Sequence, residues 1–174
     1  MKDLKKLKEA ELYFRKSIEF NPNYSMAYSN LSSILRDLGK LEEAELYALK
    51  AIKLNPNFED AHYNLGLIMR DLGKLKEAEF YTFKAIKLNP NFDNAYSNLG
   101  NILRDLGKLK EAEIAYRKAI QINPNLAVAH SYLGNILRDL GNFKEARLFS
   151  EKTLSLRPWT IIGSYSLNFQ TISD

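Results

Sequence analysis

The chain has 174 residues, of which 45% are hydrophobic, and its 25 Lys and Arg against 21 Asp and Glu give a net charge of +4. The absence of cysteine excludes disulfides and thiolate metal sites, and is typical of a reducing compartment, so we expect a cytoplasmic location. The basic residues are spread along the chain, no apolar run approaches the roughly 18 residues of a membrane span, and the N-terminus is charged rather than signal-like. We therefore expect neither nucleic acid nor a membrane as partner.

The tetrapeptide Arg-Asp-Leu-Gly occurs four times, beginning at Arg36, Arg70, Arg104 and Arg138, with a constant spacing of 34 residues. A fixed period of this size is typical of repeat proteins. The same period is followed by prolines and alanines, at Pro22, Pro56, Pro90, Pro124 and Pro158 and at Ala10, Ala44, Ala78, Ala112 and Ala146. We predict one solenoid domain divided into 1–24 (a partial repeat, mainly its second helix), full repeats at 25–58, 59–92, 93–126 and 127–160, and a degenerate capping helix or tail at 161–174.

Each repeat is predicted to form two helices, which we call helix A and helix B. In the third repeat, helix A follows a predicted N-cap at Asp93, and its apolar residues recur at helical spacing until Gly107 interrupts the pattern. A second apolar pattern then runs to Asn123, where it stops because the residue before Pro124 disfavours the helical region. The prediction is an all-α chain of helix pairs joined by short turns.

Small and aromatic residues recur at fixed places in these helices. A glycine inside a helix costs about 1 kcal/mol relative to alanine, so its recurrence at Gly66, Gly100 and Gly134 predicts close helix packing. The two histidines, His62 and His130, stand in a register filled by tyrosine in the other repeats, and we expect them to pack rather than to catalyse. No nucleophile motif, phosphate-binding loop or metal-ligand spacing is visible, so we expect no enzymatic activity, cofactor or metal.

The order aromatic, Leu, Gly, Ala, Ala, Pro over one period resembles the tetratricopeptide repeat family. In the third repeat it is carried by Tyr96, Leu99, Gly100, Leu103, Gly107, Ala112, Tyr116, Ala119 and Pro124. The resemblance covers residues 25–160 and the helix B before them, and the segment 96–101 is similar to the repeats of O-linked N-acetylglucosamine transferases. It implies a right-handed superhelix of antiparallel helix pairs whose helices A line a concave groove, with a protein or an extended peptide as partner.

Helix A side chains that face away from the core are the candidates for this groove. An asparagine amide offers one donor and one acceptor group, so a row of asparagines could hold the backbone of an extended peptide. The predicted peptide-binding residues are Asn30, Asn64, Asn98, Asn101, Asn135, Tyr63, Tyr132, Arg70 and Arg104. The alternative is that the asparagines bond within the scaffold and that the Arg-Asp rows form exposed pairs between repeats. The rows that would grip a terminal carboxylate in chaperone-binding relatives hold no Lys or Arg, which disfavours that subclass.

Three functions follow as hypotheses. The first is a non-catalytic scaffold that binds a peptide or a partner helix in the groove. The second is the substrate-recruiting segment of a larger transferase, because the sequence begins inside a repeat and we expect the first helix A to be missing. The third is self-assembly into a homo-oligomer through the uncovered N-terminal helix, or through the apolar C-terminal segment at 159–172.

Overall fold

The computed structural model describes the backbone of residues 2–156 and the side chains of residues 4–156, so the predicted tail at 161–174 lies outside the described residues. The described part consists of nine α-helices without strands. They are α1 (Lys2–Phe20), α2 (Ser25–Asp37), α3 (Leu41–Leu54), α4 (Glu59–Asp71), α5 (Leu75–Leu88), α6 (Asp93–Asp105), α7 (Leu109–Ile122), α8 (Ala127–Asp139) and α9 (Phe143–Leu156). None of the helices in this part is long and apolar enough to cross a membrane.

The turns between helices follow from glycine and proline. Gly107 takes a φ of +76°, which favours glycine, and the amide of Lys108 closes the end of α6 by donating to the carbonyl of Leu103 at 2.8 Å.

The sequence prediction of an N-cap at Asp93 is wrong. The cap position is Phe92, and the Asp93 carboxylate accepts a 2.6 Å hydrogen bond from the side-chain amide of Asn123, at the C-terminal end of α7.

The helices stack as an all-α solenoid of antiparallel pairs. Helices A are α2, α4, α6 and α8, and each packs against the helix B that follows it, which are α3, α5, α7 and α9. Each helix A also contacts the next helix A directly, whereas helices B pack chiefly against helices A. Helices A therefore line the inner, concave side of the array and helices B form its outer side.

The hydrophobic core runs without interruption from repeat to repeat. Leu31 of α2, Leu65 of α4 and Ile102 of α6 are fully buried in the same cluster, although they belong to three repeats. A second cluster joins α5 to α9 and is centred on Tyr116 and Leu133. Because each repeat completes its apolar contacts only with its neighbours, the stability of the array depends on the interfaces between repeats.

Close helix packing at the recurrent glycines is confirmed. A Cβ on Gly100 would lie 2.6 Å from the ring of Tyr116, and one on Gly66 would overlap the hydroxyl of Thr82. Gly134 has more room, with the nearest atom, the carbonyl oxygen of Ala146, at 3.3 Å. The identity of the facing helix B residue therefore decides how strictly each glycine is required.

The two histidines pack in the interior, as predicted from their register. His62 and His130 are buried, and the Nε2 of each donates to the carbonyl oxygen of the proline six residues earlier, at 2.9 and 2.8 Å. The His62 ring stacks on Tyr81 with a centroid separation of 6.3 Å. Burial lowers the pKa of His62 despite its hydrogen bond, so the neutral imidazole is the form that packs.

Candidate functional site: a groove along helices A

A cavity of about 330 Å³ opens on the inner side of the array. Its walls come from four successive helices A and from the turn before α8. The lining residues are Arg36, Tyr63, Leu67, Arg70, Asn94, Ser97, Asn98, Asn101, Leu126 and Val128. The wall contains both polar and apolar side chains, so it can accept an apolar side chain and hydrogen bonds to a backbone at the same time.

Two asparagines of the wall, Asn98 and Asn101, each bond to the scaffold through one of the two polar atoms of the side-chain amide. Asn98 donates through Nδ2 to the hydroxyl of Thr82 at 3.1 Å, and its buried Oδ1 has no partner in the described part of the chain. Asn101 accepts a 2.8 Å bond from the Tyr116 hydroxyl through Oδ1. Its Nδ2 makes no hydrogen bond to a described residue. Of these two unbonded groups, only the Asn101 Nδ2 donor is available to a ligand in the groove, because Asn98 Oδ1 is buried.

The Arg-Asp rows form ion pairs between neighbouring repeats. Arg36 pairs with Asp71 at 2.5 Å, and Arg70 pairs with Asp105 at 2.8 Å. Burial would raise the pKa of Asp105, but its hydrogen bonds from Arg70 and Arg104 outweigh burial and lower it. These partly exposed pairs are each worth about 0–1 kcal/mol, and they hold the arginine side chains along the wall of the groove.

The row of pairs changes at the fourth repeat. Arg104 bonds to the neighbouring Asp105 at 3.0 Å instead of reaching α8, and its guanidinium lies 5.4 Å from the centre of the Tyr132 ring. Tyr132 stands where the earlier repeats have asparagine, and it also packs near Tyr116, with a centroid separation of 5.8 Å. An aromatic residue at this one position therefore replaces an ion pair with a cation–π contact.

The cavity brings together four of the predicted peptide-binding residues, namely Tyr63, Arg70, Asn98 and Asn101. The other five predicted residues, Asn30, Asn64, Asn135, Tyr132 and Arg104, do not line it. Asn64 donates to the Ser29 hydroxyl at 3.0 Å and Asn135 accepts from Arg138 at 2.5 Å, so both bond within the scaffold.

The prediction missed six lining residues: Arg36, Leu67, Asn94, Ser97, Leu126 and Val128. Five of them lie at helix A positions that face the groove, so their place in the repeat was the available signal. Leu126 lies in the turn, and the signal for it was a large apolar residue after each Asn-Pro-Asn segment. Phe92 holds the equivalent position after the preceding Asn-Pro-Asn segment. It packs on Tyr63 with a centroid separation of 4.8 Å and so supports the same wall.

Three tetratricopeptide repeat models match successive parts of the chain: one at residues 59–92 and 94–126, one at 33–73, and one at 13–45 and 115–148. The chain belongs to the tetratricopeptide repeat family. Arrays of tetratricopeptide repeats are scaffolds for protein interactions. Comparison with curated protein sequences gives no match.

Solved structures share the tetratricopeptide repeat fold at low sequence identity. MamA from Desulfovibrio magneticus RS-1 is 23% identical with a TM-score of 0.75, over 87% of this chain and 86% of that one. YrrB, described as a TPR protein with an unusual peptide-binding site, is 22% identical with a TM-score of 0.69, over 97% and 87%. PilF from Pseudomonas aeruginosa is 18% identical with a TM-score of 0.80, over 88% and 70%.

Proposed function

We propose that this chain binds an extended peptide or a partner helix of another protein in the groove along helices A, without catalysing a reaction. The observation that carries the proposal is the cavity of about 330 Å³, whose walls come from four successive helices A. A surface of this kind can follow a ligand over several residues. The same groove would serve a free-standing scaffold or the substrate-recruiting part of a larger transferase.

The chemistry of the wall favours a peptide backbone as ligand. A backbone C=O could accept from Asn101 Nδ2, which makes no hydrogen bond to a described residue. Leu67 and Val128 line the same cavity and offer an apolar surface to one side chain of the peptide. The neighbour YrrB is described as having a peptide-binding site, which supports this class of ligand.

The variant Asn101→Asp tests the role of this donor. The carboxylate keeps the size of the side chain and still accepts from the Tyr116 hydroxyl, but it cannot donate to a peptide carbonyl. Peptides enriched from a random display library on the unmodified protein are expected to bind the variant about tenfold or more weakly. Affinity is measured by fluorescence anisotropy.

The control is Asn57→Asp, which makes the same change of charge at an exposed position in the turn before α4. It should leave the affinity of the selected peptides unchanged. Equal affinity for Asn101→Asp and for the unmodified protein, with circular dichroism confirming the fold of both, would refute the role of Asn101. Failure of any peptide to enrich would refute the groove proposal itself.

A second candidate is self-association through α1. Its surface exposes Tyr13 to 66% and Phe20 to 94%, and these rings line an open cavity of about 500 Å³ together with Tyr24. Exposed aromatic rings of this kind favour contact with another protein surface. We expect light scattering to give a mass above that of the monomer at high concentration and Phe20→Ser to lower it. A monomer at every concentration would contradict this candidate.

A further inference from the structure

A row of large apolar side chains runs along the outer side of the array. The N-terminal helix α1 and each helix B expose one of them at the same register. We call these five residues the outer row: Leu12 (55% exposed), Leu46 (65%), Phe80 (54%), Ile114 (68%) and Leu148 (60%). The core does not use these side chains, because each leaves more than half of its surface in water. Single exposed apolar residues are normal in proteins, whereas neighbouring ones that form a larger exposed patch are typical of a surface that contacts another molecule.

The outer row widens on α3 and α5. Three residues after Leu46 and Phe80, α3 and α5 expose a second apolar side chain, Leu49 (40%) and Phe83 (61%). At that register α1 and α7 carry arginine and α9 carries Glu151. Arg15 and Arg117 reach across to glutamates of the next helix B at 2.6 and 2.7 Å. Side chains at this register therefore extend towards the neighbouring helix B. The neighbouring helices α3 and α5 therefore each expose two apolar side chains on this side of the array, and we call Leu46, Leu49, Phe80 and Phe83 the apolar patch.

Charge is distributed unequally beside this patch. Every outer-row residue is followed one helical turn later by lysine, at Lys16, Lys50, Lys84, Lys118 and Lys152. Helix α3 also carries Lys53, and α5 carries Lys87. No described carboxylate lies within ion-pair distance of Lys50, Lys53, Lys84 or Lys87. Lys84 lies over the Phe80 ring at 4.7 Å.

The opposite edge of the patch has a different charge. It carries Glu42 on α3, and Lys76 and Glu77 on α5, so it is mixed and partly acidic. The apolar patch is thus bordered by a purely basic edge on one side only. An anionic bilayer would meet acidic groups along the second edge and would touch an outward-curving surface over only part of its length. A narrow ligand with acidic groups along one side only can place them against the basic edge and keep them away from the mixed edge.

From this pattern we infer that the outer surface of α3 and α5 binds an amphipathic helix of a partner protein, with acidic residues along one side of its apolar stripe. The apolar stripe of such a helix would lie along Leu46, Leu49, Phe80 and Phe83. Its acidic side would face Lys50, Lys53, Lys84 and Lys87, all of them exposed. This is the helix-in-groove type of recognition, with charge complementarity setting the orientation. The surface lies on the opposite side of the array from the groove.

The test uses two display libraries of amphipathic helical peptides, one with glutamate and one with lysine beside the apolar stripe. We expect the intact chain to enrich peptides from the glutamate library. Their affinity should fall about tenfold or more in Phe80→Ser/Phe83→Ser, which removes the centre of the patch. The charge reversal Lys50→Glu/Lys84→Glu should lose these peptides and gain peptides from the lysine library.

Two control variants separate this surface from the others. Tyr13→Ser/Phe20→Ser removes two exposed rings outside the patch, and Asn101→Asp alters only the groove, so both should bind the selected peptides as the unmodified chain does. Enrichment that is the same on the Phe80→Ser/Phe83→Ser variant, equal enrichment from both libraries, or no enrichment at all would overturn the inference. So would binding to vesicles containing phosphatidylserine without any helical peptide, which would assign the patch to a membrane surface.

Discussion

Alanine in place of Ile102 is expected to lower the free energy of unfolding by about 2–5 kcal/mol. Ile102 is fully buried, and although it belongs to α6 it packs in the cluster formed by α2 to α5. Its truncation therefore leaves a cavity at the interface between two repeats rather than inside one. Since the stability of a repeat array depends on such interfaces, we also expect the two halves to unfold less cooperatively.

Urea unfolding followed by far-UV circular dichroism measures both effects. The matched control is Ile114→Ala, the same substitution on the neighbouring helix α7, where the side chain is 68% exposed. That control should change the unfolding free energy by less than about 0.5 kcal/mol. If both variants unfold at the same urea concentration, Ile102 does not join the repeats energetically.

Alanine in place of Gly100 is expected to destabilise the protein by up to about 2 kcal/mol, although alanine is the better helix former. The new methyl group would lie 2.6 Å from the ring of Tyr116, which is fully buried and cannot move aside without disturbing its neighbours. Overpacking of this kind costs about 1–3 kcal/mol, while the gain in helix propensity returns only about 1 kcal/mol.

The equivalent change Gly134→Ala supplies the comparison within the same chain. The nearest atoms to its methyl group, the Ala146 carbonyl oxygen and the Ser150 hydroxyl, would be 3.3 Å away. This contact is tight but much less so than at Gly100, and the propensity gain of about 1 kcal/mol should offset it. We expect the midpoint of thermal unfolding to fall for Gly100→Ala and to stay or rise for Gly134→Ala. A rise in both would show that Tyr116 yields to the added methyl group without cost.

The sequence was sufficient to predict the solenoid because its strongest signals are local and repeated. Gly107 ends a helix through its own backbone freedom, and Pro124 stops one by excluding the helical conformation from the residue before it. Neither effect needs a distant partner. Because these signals recur at a constant period, they predict a series of helix pairs. Stacking such pairs buries the apolar face of each helix.

The groove could be predicted only in part, because the use of each polar group depends on the helix that faces it. Asn98 was predicted to contact a ligand, yet its amide nitrogen bonds to Thr82, a residue 16 positions earlier on another helix. The position of Thr82 is alanine in the first full repeat and tyrosine in the third. A different residue at this position leaves the repeat pattern recognisable. It nevertheless decides whether the amide nitrogen or the amide oxygen of the asparagine bonds within the scaffold.

The failed cap at Asp93 has the same origin. Local preference favours aspartate as a helix cap, but the carboxylate bonds to Asn123, a residue 30 positions later that only stacking brings close. The sequence by itself therefore determined the period, the helix pairs and the sides that helices A and B present, since these depend on backbone preferences and hydrophobic periodicity. The tertiary structure alone decided which asparagines, arginines and outer lysines remain available to a partner, because hydrogen bonds and ion pairs between repeats are set by distances that no local pattern encodes.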